Sequence, residues 1–236
     1  MSEVTKIERS SHHDRMPWAW CNLSRNPFGE LTRQERAEVA VVDVSGIAAL
    51  VQNDFSAVQL IGQCGRGKTT RMLALHHGLP DSTYAYLPQD GPCPSIASGR
   101  PVLIDEAQRL PRRIRGAVFQ SGLPLVLATH RDLSRPLRRS GYSVTTYEIG
   151  AGNNAAHLCE LLNRRIQASC LDARSPVPQV SLDDATKLVQ RFGSDVRAIE
   201  GYLYDMVQSQ TFCGQDSHSK DFSSQDQYHG EMRFND

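Results

Sequence analysis

The segment Gly62-Gln-Cys-Gly-Arg-Gly-Lys-Thr69 decides the interpretation of this chain, because it fits the pattern G-x-x-x-x-G-K-[ST] at every fixed position. Several backbone N–H groups can meet one phosphate only if the loop curls tightly, and glycines allow that curl without Cβ clashes. The loop also opens a helix, whose N-terminus favours anions. The segment therefore predicts a phosphate-binding loop; a simple glycine-rich turn is the alternative.

Two side chains at the end of this loop carry chemistry. Lys68 can reach the β- and γ-phosphates of a nucleotide, and Thr69 can offer its hydroxyl to Mg²⁺. Lysine is rare in this arginine-rich chain, so Lys68 stands out. The residues that we expect to bind the nucleotide are Gly62, Gln63, Cys64, Gly65, Arg66, Gly67, Lys68, Thr69 and Thr70.

Short apolar runs and segments of helical spacing alternate around the loop. The runs predict strands at 57–61, 84–87, 101–104, 123–129 and 143–149. Helices are predicted from Lys68 to His77, from the third strand to about Gln120, and from Asp132 to Arg139. Strands that alternate with helices need crossover connections, so we expect an α/β fold with a parallel sheet covered on both faces.

Two acids, Asp105 and Glu106, follow the third predicted strand. Open α/β sheets bind ligands at the carboxyl ends of their strands, which is where these side chains would lie. Asp105 can hold the hydration shell of Mg²⁺, and Glu106 can polarise an attacking water as general base. Two solvated acids at a strand end are the alternative, but the spacing from Lys68 leaves room for one helix, a strand and a loop.

Three further residues are candidates for contact with the γ-phosphate. Thr129 and His130 end the fourth strand, and either would face the phosphate if that strand lies between the first and the third. A strand-terminal cap is the alternative role. Arg197 lies in the first turn of a predicted helix, where the helix dipole disfavours a cation, so an anion is expected nearby. An exposed arginine without a partner is the other interpretation.

The pattern after Gly150 contains helices only. They are predicted at 155–168, from a capping box at Ser181 to Gly193, and from Ser194, as cap, through Met206. We therefore expect a disordered segment 1–16, a core with an N-terminal linker at 17–150, a helical lid at 151–210 and a disordered polar tail at 211–236.

Composition excludes several classes of protein. Lys and Arg number 26 and so do Asp and Glu, which argues against a globally basic nucleic-acid binder. The six cysteines contain no C-x-x-C pair, so no zinc ribbon is expected. No leader and no apolar run near the length of a membrane span is visible. We therefore expect a cytoplasmic protein with free thiols and no membrane span.

Arginines are concentrated between residues 100 and 139. An arginine supplied by a second subunit can stabilise phosphate charge during nucleotide hydrolysis, which would require a homo-oligomer. Arg138 and Arg139, just before the fifth strand, are the best candidates for that role. The same arginines could bind a nucleic-acid backbone, or form an ordinary solvated surface.

Four segments together resemble the AAA+ ATPase superfamily: Gly62–Thr69, Val102–Gln108, the strand end at Thr129, and Gly193–Arg197. The resemblance implies an αβα sandwich whose five-stranded parallel sheet has the order 5-1-4-3-2, followed by a C-terminal helical lid. It implies that Lys68 and Thr69 bind ATP and Mg²⁺, and that Asp105 and Glu106 are the metal-binding and catalytic acids. It also implies that Thr129 or His130 is the first sensor and that Arg197 is the second.

Two shorter stretches, Leu103–Leu110 and Asn26–Gly29, look like a bacterial branch that contains secretion-pathway and transposition-helper ATPases. The segment 88–100 departs from the family pattern, because it is too short and proline-rich for a full helix.

The expected function is therefore Mg²⁺-dependent hydrolysis of ATP to ADP and phosphate, which drives a conformational change in a complex with a protein partner. One alternative is a nucleotide-gated switch with little turnover. The other is a small-molecule kinase built on the same loop, although its lid would be expected between strands.

Overall fold

The computed structural model describes residues 18–150 and 154–210, together with the helical backbone from 211 to 217. In chain order its helices and strands are α1 (Arg33–Glu38), α2 (Ser45–Leu50), β1 (Ser56–Ile61), α3 (Lys68–Gly78), β2 (Thr83–Tyr86), β3 (Val102–Asp105), α4 (Arg112–Gln120), β4 (Leu125–Thr129), α5 (Ser134–Arg139), β5 (Ser143–Glu148), α6 (Ala155–Ala168), α7 (Leu182–Phe192) and α8 (Val196–Ser217).

The strands within residues 18–150 form one five-stranded parallel sheet with the order β2-β3-β4-β1-β5. This is the order 5-1-4-3-2 read from the other edge, so the predicted fold class is confirmed. Val126 of β4 pairs with Val58 of β1 on one side and with Leu103 of β3 on the other. The carboxyl ends of β1, β4 and β3 therefore meet at one edge of the sheet.

Helices cover both faces of the sheet. Met72 and Leu75 of α3 pack with Val126 in one apolar core, to which α2 also contributes. On the other face, Phe119 of α4 and Leu137 of α5 share a core with alternate residues of the same strands. Strands β3 and β4 are buried along their whole length, as expected for central strands of a parallel sheet.

Helices α6, α7 and α8 form a third apolar core, which we call the helical cluster. Leu23 and Phe28 from the N-terminal segment are buried in it, and Leu23 forms a β-bridge with Cys170. The side-chain amide of Asn22 donates to the backbone oxygens of Asp172 and Ser175, both at 2.9 Å. Residues 18–28 therefore pack against the helical cluster, although we predicted them to be a linker of the sheet core.

A buried ion pair ties this segment to the helical cluster. Arg165 of α6 is only 4% exposed and pairs with Glu200 of α8. Its guanidinium also donates to the backbone oxygens of Pro27 and Gly29. The charge is thus matched by one carboxylate and two carbonyl oxygens, which offsets the cost of removing it from water.

Most predicted element boundaries agree with the structure to within two residues, and the segment 88–100 contains no helix or strand. The predicted helix after β3 begins later, at Arg112, because a 3₁₀ turn (Ala107–Arg109) intervenes. The cap of α8 was also predicted wrongly. The Oδ1 atom of Asp195, rather than Ser194, accepts from the N–H groups of Arg197 and Ala198.

Other predictions concern the termini, the cysteines and the membrane. The backbone of α8 is helical to Ser217, so it extends into the tail that we predicted to be disordered from residue 211. The predictions for 1–16 and for residues after 217 lie outside the described residues.

The described cysteines, at 21, 64, 93, 159 and 170, are free thiols. Within the described ranges, every helix is too short or too polar to cross a lipid bilayer.

Candidate functional site

The loop between β1 and α3 has the backbone that its glycines predict. Gly65 and Gly67 have φ angles of +74° and +86°, a region that favours glycine. Gly62 is packed so closely that a Cβ would lie 2.5 Å from the backbone oxygen of Ile149. Gly67 is the N-cap of α3, so the first turn of that helix points its free N–H groups toward the loop.

Lys68 folds back over this loop and is buried. Its Nζ donates to the backbone oxygens of Gly62, at 2.5 Å, and of Gln63, at 2.8 Å. Burial lowers the pKa of the Lys68 ammonium, while the nearby carboxylate of Glu106 acts in the opposite direction. The loop thus holds a desolvated cation at the position where the motif predicts one.

Asp105 links the loop to the end of β3. It is fully buried, and its Oδ2 accepts from the hydroxyl of Thr69 at 2.8 Å and from the hydroxyl of Tyr84 at 3.0 Å. Its Oδ1 accepts from the N–H of Glu106 at 3.0 Å. Burial, and then the adjacent Asp105, raise the pKa of Tyr84, so this phenol stays protonated and acts as a donor.

Glu106 turns the chain out of the strand, with a φ angle of +61°. Its Oε2 accepts from Nε2 of Gln108 at 2.6 Å and forms an ion pair with Arg109 at 3.3 Å. Its Oε1 lies 3.3 Å from Nε2 of His130. The predicted general base is therefore held by the chain's own polar side chains.

The two candidates at the end of β4 differ in what they contact. The Thr129 hydroxyl is fully buried and exchanges hydrogen bonds with the backbone of Arg131, at 2.9 and 3.0 Å. The ring of His130 instead reaches Glu106, and its Nε2 is 3.9 Å from Sγ of Cys64. Of the two, His130 is the residue that the structure brings next to the predicted general base.

A cavity of about 700 Å³ opens beside these residues, between the phosphate loop, residues 28–42 and the helical cluster. That volume is within the usual range of small-molecule sites. Among the predicted site residues, those that line it are Gln63, Cys64, Gly65, Arg66, Gly67, Lys68, Thr69, Thr70, Glu106 and Arg197. Gly62, Asp105, Thr129 and His130 are not among the lining residues: Asp105 and Thr129 are fully buried, whereas His130 is exposed. Arg138 and Arg139 are exposed at the end of α5.

Cations crowd the walls of the cavity. Arg36, Arg71 and Arg109 line it together with Lys68 and Arg197. Burial lowers the pKa of Arg71. Burial, and then the charge of Arg71, lower the pKa of His157, which also lines the cavity. Lys68 and Arg71 are desolvated, and the concentration of cations around one space favours an anionic ligand.

The helical cluster touches the phosphate loop through Asp195, the cap of α8. A Cβ built on Gly65 would lie only 2.2 Å from the Oδ1 of Asp195. Arg197, two residues further along, is exposed and lines the cavity. The start of α8 therefore stands directly over the loop.

The donor set fits a hydrated Mg²⁺ ion. Thr69 and Asp105 place a hydroxyl and a carboxylate side by side, both oxygen ligands of the kind that Mg²⁺ prefers. In the described part of the chain, no group of three or more His, Cys, Asp or Glu side chains could hold a metal ion.

Sequence reasoning missed Tyr84, Gln108, Arg109, His157 and Asp195 as members of this site. Tyr84 lies on another strand from Asp105, and only the β2–β3 register brings the two side chains to one face. Gln108 and Arg109 lie in the turn after β3, which we predicted to be part of a regular helix. A correct assignment of Asp195 as the cap of α8 would have placed this residue beside Arg197 in the site.

Gly65 provides a test of this geometry. The change Gly65→Ala puts a side chain at positive φ and against Asp195, so the free energy of unfolding should fall by about 1–3 kcal/mol. Denaturant unfolding measures the loss. The control is Gly116→Ala in α4, where a Cβ would meet nothing within 4 Å and stability should stay the same or rise. Equal stability of the two variants would contradict the close contact.

Comparisons with known proteins support the fold alone. No protein-family model matches the chain, and no curated protein matches it. Among solved structures it is similar to the RuvB Holliday junction branch migration motor of Thermotoga maritima, with 20% identity and a TM-score of 0.50 over 79% of this chain. It is also similar to Cdc6p from Pyrobaculum aerophilum, with 13% identity and a TM-score of 0.44 over 85% of this chain.

This chain spans 64% of the length of the RuvB structure and 66% of that of Cdc6p. At these identities the likeness concerns architecture and not activity. With its five-stranded parallel sheet, its strand order and its flanking helices, the chain has the α/β fold of the AAA+ P-loop NTPases.

Proposed function

We propose that this protein binds ATP and, with Mg²⁺, hydrolyses it to ADP and phosphate. The observation that carries the proposal is the contact between Thr69 of the phosphate loop and Asp105 at the end of β3, with Glu106 beside it. Residues of the phosphate loop, Thr69 and Glu106 line one cavity of about 700 Å³, and Asp105 is hydrogen-bonded to Thr69.

The charges around the cavity support a triphosphate as the ligand. Lys68, Arg71 and His157 are all desolvated, with pKa values lowered by burial. A bound polyanion would stabilise their protonated forms. The free N–H groups at the start of α3 would add backbone donors to the same phosphates.

The hydrolytic step follows from the positions of these groups. Thr69 and Asp105 would hold Mg²⁺, which, when bound, draws negative charge from the phosphate oxygens. Lys68 would stabilise charge on the transferring phosphoryl group. Glu106 would orient a water molecule and accept its proton while the water oxygen bonds to the γ-phosphorus. The bond from that phosphorus to the β–γ bridging oxygen breaks, and ADP leaves with the electron pair.

The helical cluster is well placed to respond to the nucleotide. Asp195 contacts Gly65 of the loop, and Arg197 lines the cavity from the same helix turn. A γ-phosphate would attract Arg197 and repel the carboxylate of Asp195. We propose that α6–α8 form a lid whose position depends on the bound phosphates, and that its motion drives a conformational change in a partner complex.

A second subunit would complete the site. Arg138 and Arg139 lie at the end of α5, exposed and away from the cavity of their own chain. They therefore suit the role of an arginine supplied in trans to a neighbouring copy. The finer resemblance to secretion-pathway and transposition-helper ATPases is also part of this proposal, and it rests on the segments Leu103–Leu110 and Asn26–Gly29.

One observation favours a second candidate, a nucleotide-gated switch with little turnover. Both oxygens of Glu106 already have partners, namely Gln108 and Arg109 on one side and His130 on the other. If His130 stays in place when ATP binds, its ring competes with water for Oε1 of Glu106. A small-molecule kinase is less well supported, because the helical cluster follows β5 and does not lie between strands.

The change Glu106→Gln separates hydrolysis from binding. It removes the proton acceptor and keeps the shape, so ATP affinity should change by less than about threefold while phosphate release falls at least about 100-fold. Calorimetry measures binding, and a phosphate-release assay measures turnover.

Glu148→Gln is the matched control, since Glu148 is exposed at the end of β5. Absence of ATP binding by the wild-type protein would overturn the whole proposal. Wild-type binding without turnover, even in an assembled sample, would favour the switch.

His157 reports on the position of the bound phosphates. Without nucleotide its pKa should lie below the ordinary value for histidine, so the ring is neutral at pH 7. A non-hydrolysable ATP analogue should raise this pKa, because the added negative charge favours the imidazolium. An NMR pH titration of the ring resonances measures the change. An unchanged pKa in the complex would show that the phosphates bind elsewhere.

Self-association is tested by light scattering after size-exclusion chromatography, with ADP and with a non-hydrolysable ATP analogue. The analogue should increase the molar mass, and the specific ATPase rate should rise with protein concentration. Arg138→Ala and Arg139→Ala are made separately. The variant that loses the arginine acting in trans should have an ATPase rate lower by about 100-fold or more, and it should still bind nucleotide.

Arg174→Ala is the control, since Arg174 is exposed in the loop before α7. A rate independent of concentration would contradict the arginine in trans.

A further inference from the structure

We propose that Gln108 is a positioning residue for hydrolysis, which holds one carboxylate oxygen of Glu106 so that the other stays directed to the water. The inference rests on the proposed function and extends it to a residue outside the loop and the acidic pair. The unit formed by Gln108, Arg109 and Glu106 is called the carboxylate clamp below.

Gln108 joins the carboxyl ends of two neighbouring strands, β3 and β4, through a single amide group. Its Nε2 donates to Oε2 of Glu106 at 2.6 Å. Its Oε1 accepts from the backbone N–H of His130, just after β4, at 3.2 Å. A carboxamide carries a donor and an acceptor in one planar group, so Gln108 makes both contacts at once. The amide thus couples the residue after β3 to the residue after β4.

Arg109 acts on the same oxygen of Glu106. Its guanidinium lies 3.3 Å from Oε2 and also donates to the backbone oxygen of Leu87 at 2.9 Å. Oε2 therefore has one hydrogen-bond donor, Gln108, and one ion-pair partner, Arg109, and both side chains are themselves anchored. Among the described residues, Oε1 faces only the ring nitrogen of His130, at 3.3 Å. A displacement of that ring toward a bound phosphate would free Oε1 for a water molecule, while Oε2 stays held.

The backbone explains why Glu106 needs such support. Its φ angle of +61° is uncommon for a residue with a side chain, and the chain then enters the short 3₁₀ turn Ala107–Arg109. This turn folds the chain back, so that the side chains of Gln108 and Arg109 reach the Glu106 carboxylate. A flexible carboxylate would sample several rotamers, and a displacement of about 1 Å at a general base can cost about 100-fold in rate.

A purely structural role for Gln108 makes a different prediction. A residue that only stabilises the fold would affect nucleotide binding and turnover together, and its effect would be the same whether or not Glu106 is a carboxylate. A positioning residue acts through Glu106, so its effect must disappear when Glu106 can no longer accept a proton.

The test compares Gln108→Ala with wild type, and repeats the comparison in a Glu106→Gln background. We expect kcat to fall about 10- to 100-fold, with the Kd for a non-hydrolysable ATP analogue changed less than threefold. In the Glu106→Gln background the same substitution should change the residual single-turnover rate less than twofold. Gln120→Ala, at the exposed end of α4, should leave kcat unchanged.

The variant Gln108→Glu keeps the size of the side chain and serves if Gln108→Ala does not fold. It places a like charge beside Glu106 and should lower kcat at least as much. An unchanged kcat in both variants, a loss that follows the Kd, or an equal loss in the Glu106→Gln background would overturn the clamp. Absence of turnover in the wild-type protein would instead remove the proposed function, and the clamp with it.

Discussion

The hydrogen bond between the Thr69 hydroxyl and the Asp105 carboxylate is the contact on which the rest of the site depends. It joins the first turn of α3 to the end of β3, across the strand β4 that separates β1 from β3. A fully buried carboxylate must be matched by donors, and Asp105 has three: Thr69, Tyr84 and the N–H of Glu106. Those donors fix the distance between the phosphate loop and the two acids.

Three parts of the chain meet around that contact, and they contribute different chemical groups. The loop and α3 supply backbone donors and Lys68, the sheet edge supplies the acids, and the helical cluster supplies Arg197. The helical cluster in turn takes residues 18–28 into its own core, through Leu23 and the buried pair of Arg165 with Glu200. Sheet and helical cluster therefore have separate apolar cores, which suits the lid motion that we propose.

Much of the fold could be predicted because its signals are local. Short apolar runs marked the strands to within two residues, and the glycines of the loop marked a tight turn that precedes a helix. The order of the strands came with the resemblance to AAA+ proteins, and the structure confirms it. The assignment of Ser194 as cap was wrong because a carboxylate one residue later competes for the same N–H groups.

What the sequence alone determined is the list of chemical groups: a glycine-rich loop with Lys68 and Thr69, and two acids at the end of an apolar strand. These follow from local rules of backbone freedom and hydrophobic burial. Only the tertiary structure decided which groups touch. The parallel register brought Tyr84 to Asp105, the turn after β3 brought Gln108 to Glu106, and packing of the helical cluster set Asp195 against Gly65. Such contacts depend on the relative position of distant strands and helices, which no local pattern of residues specifies.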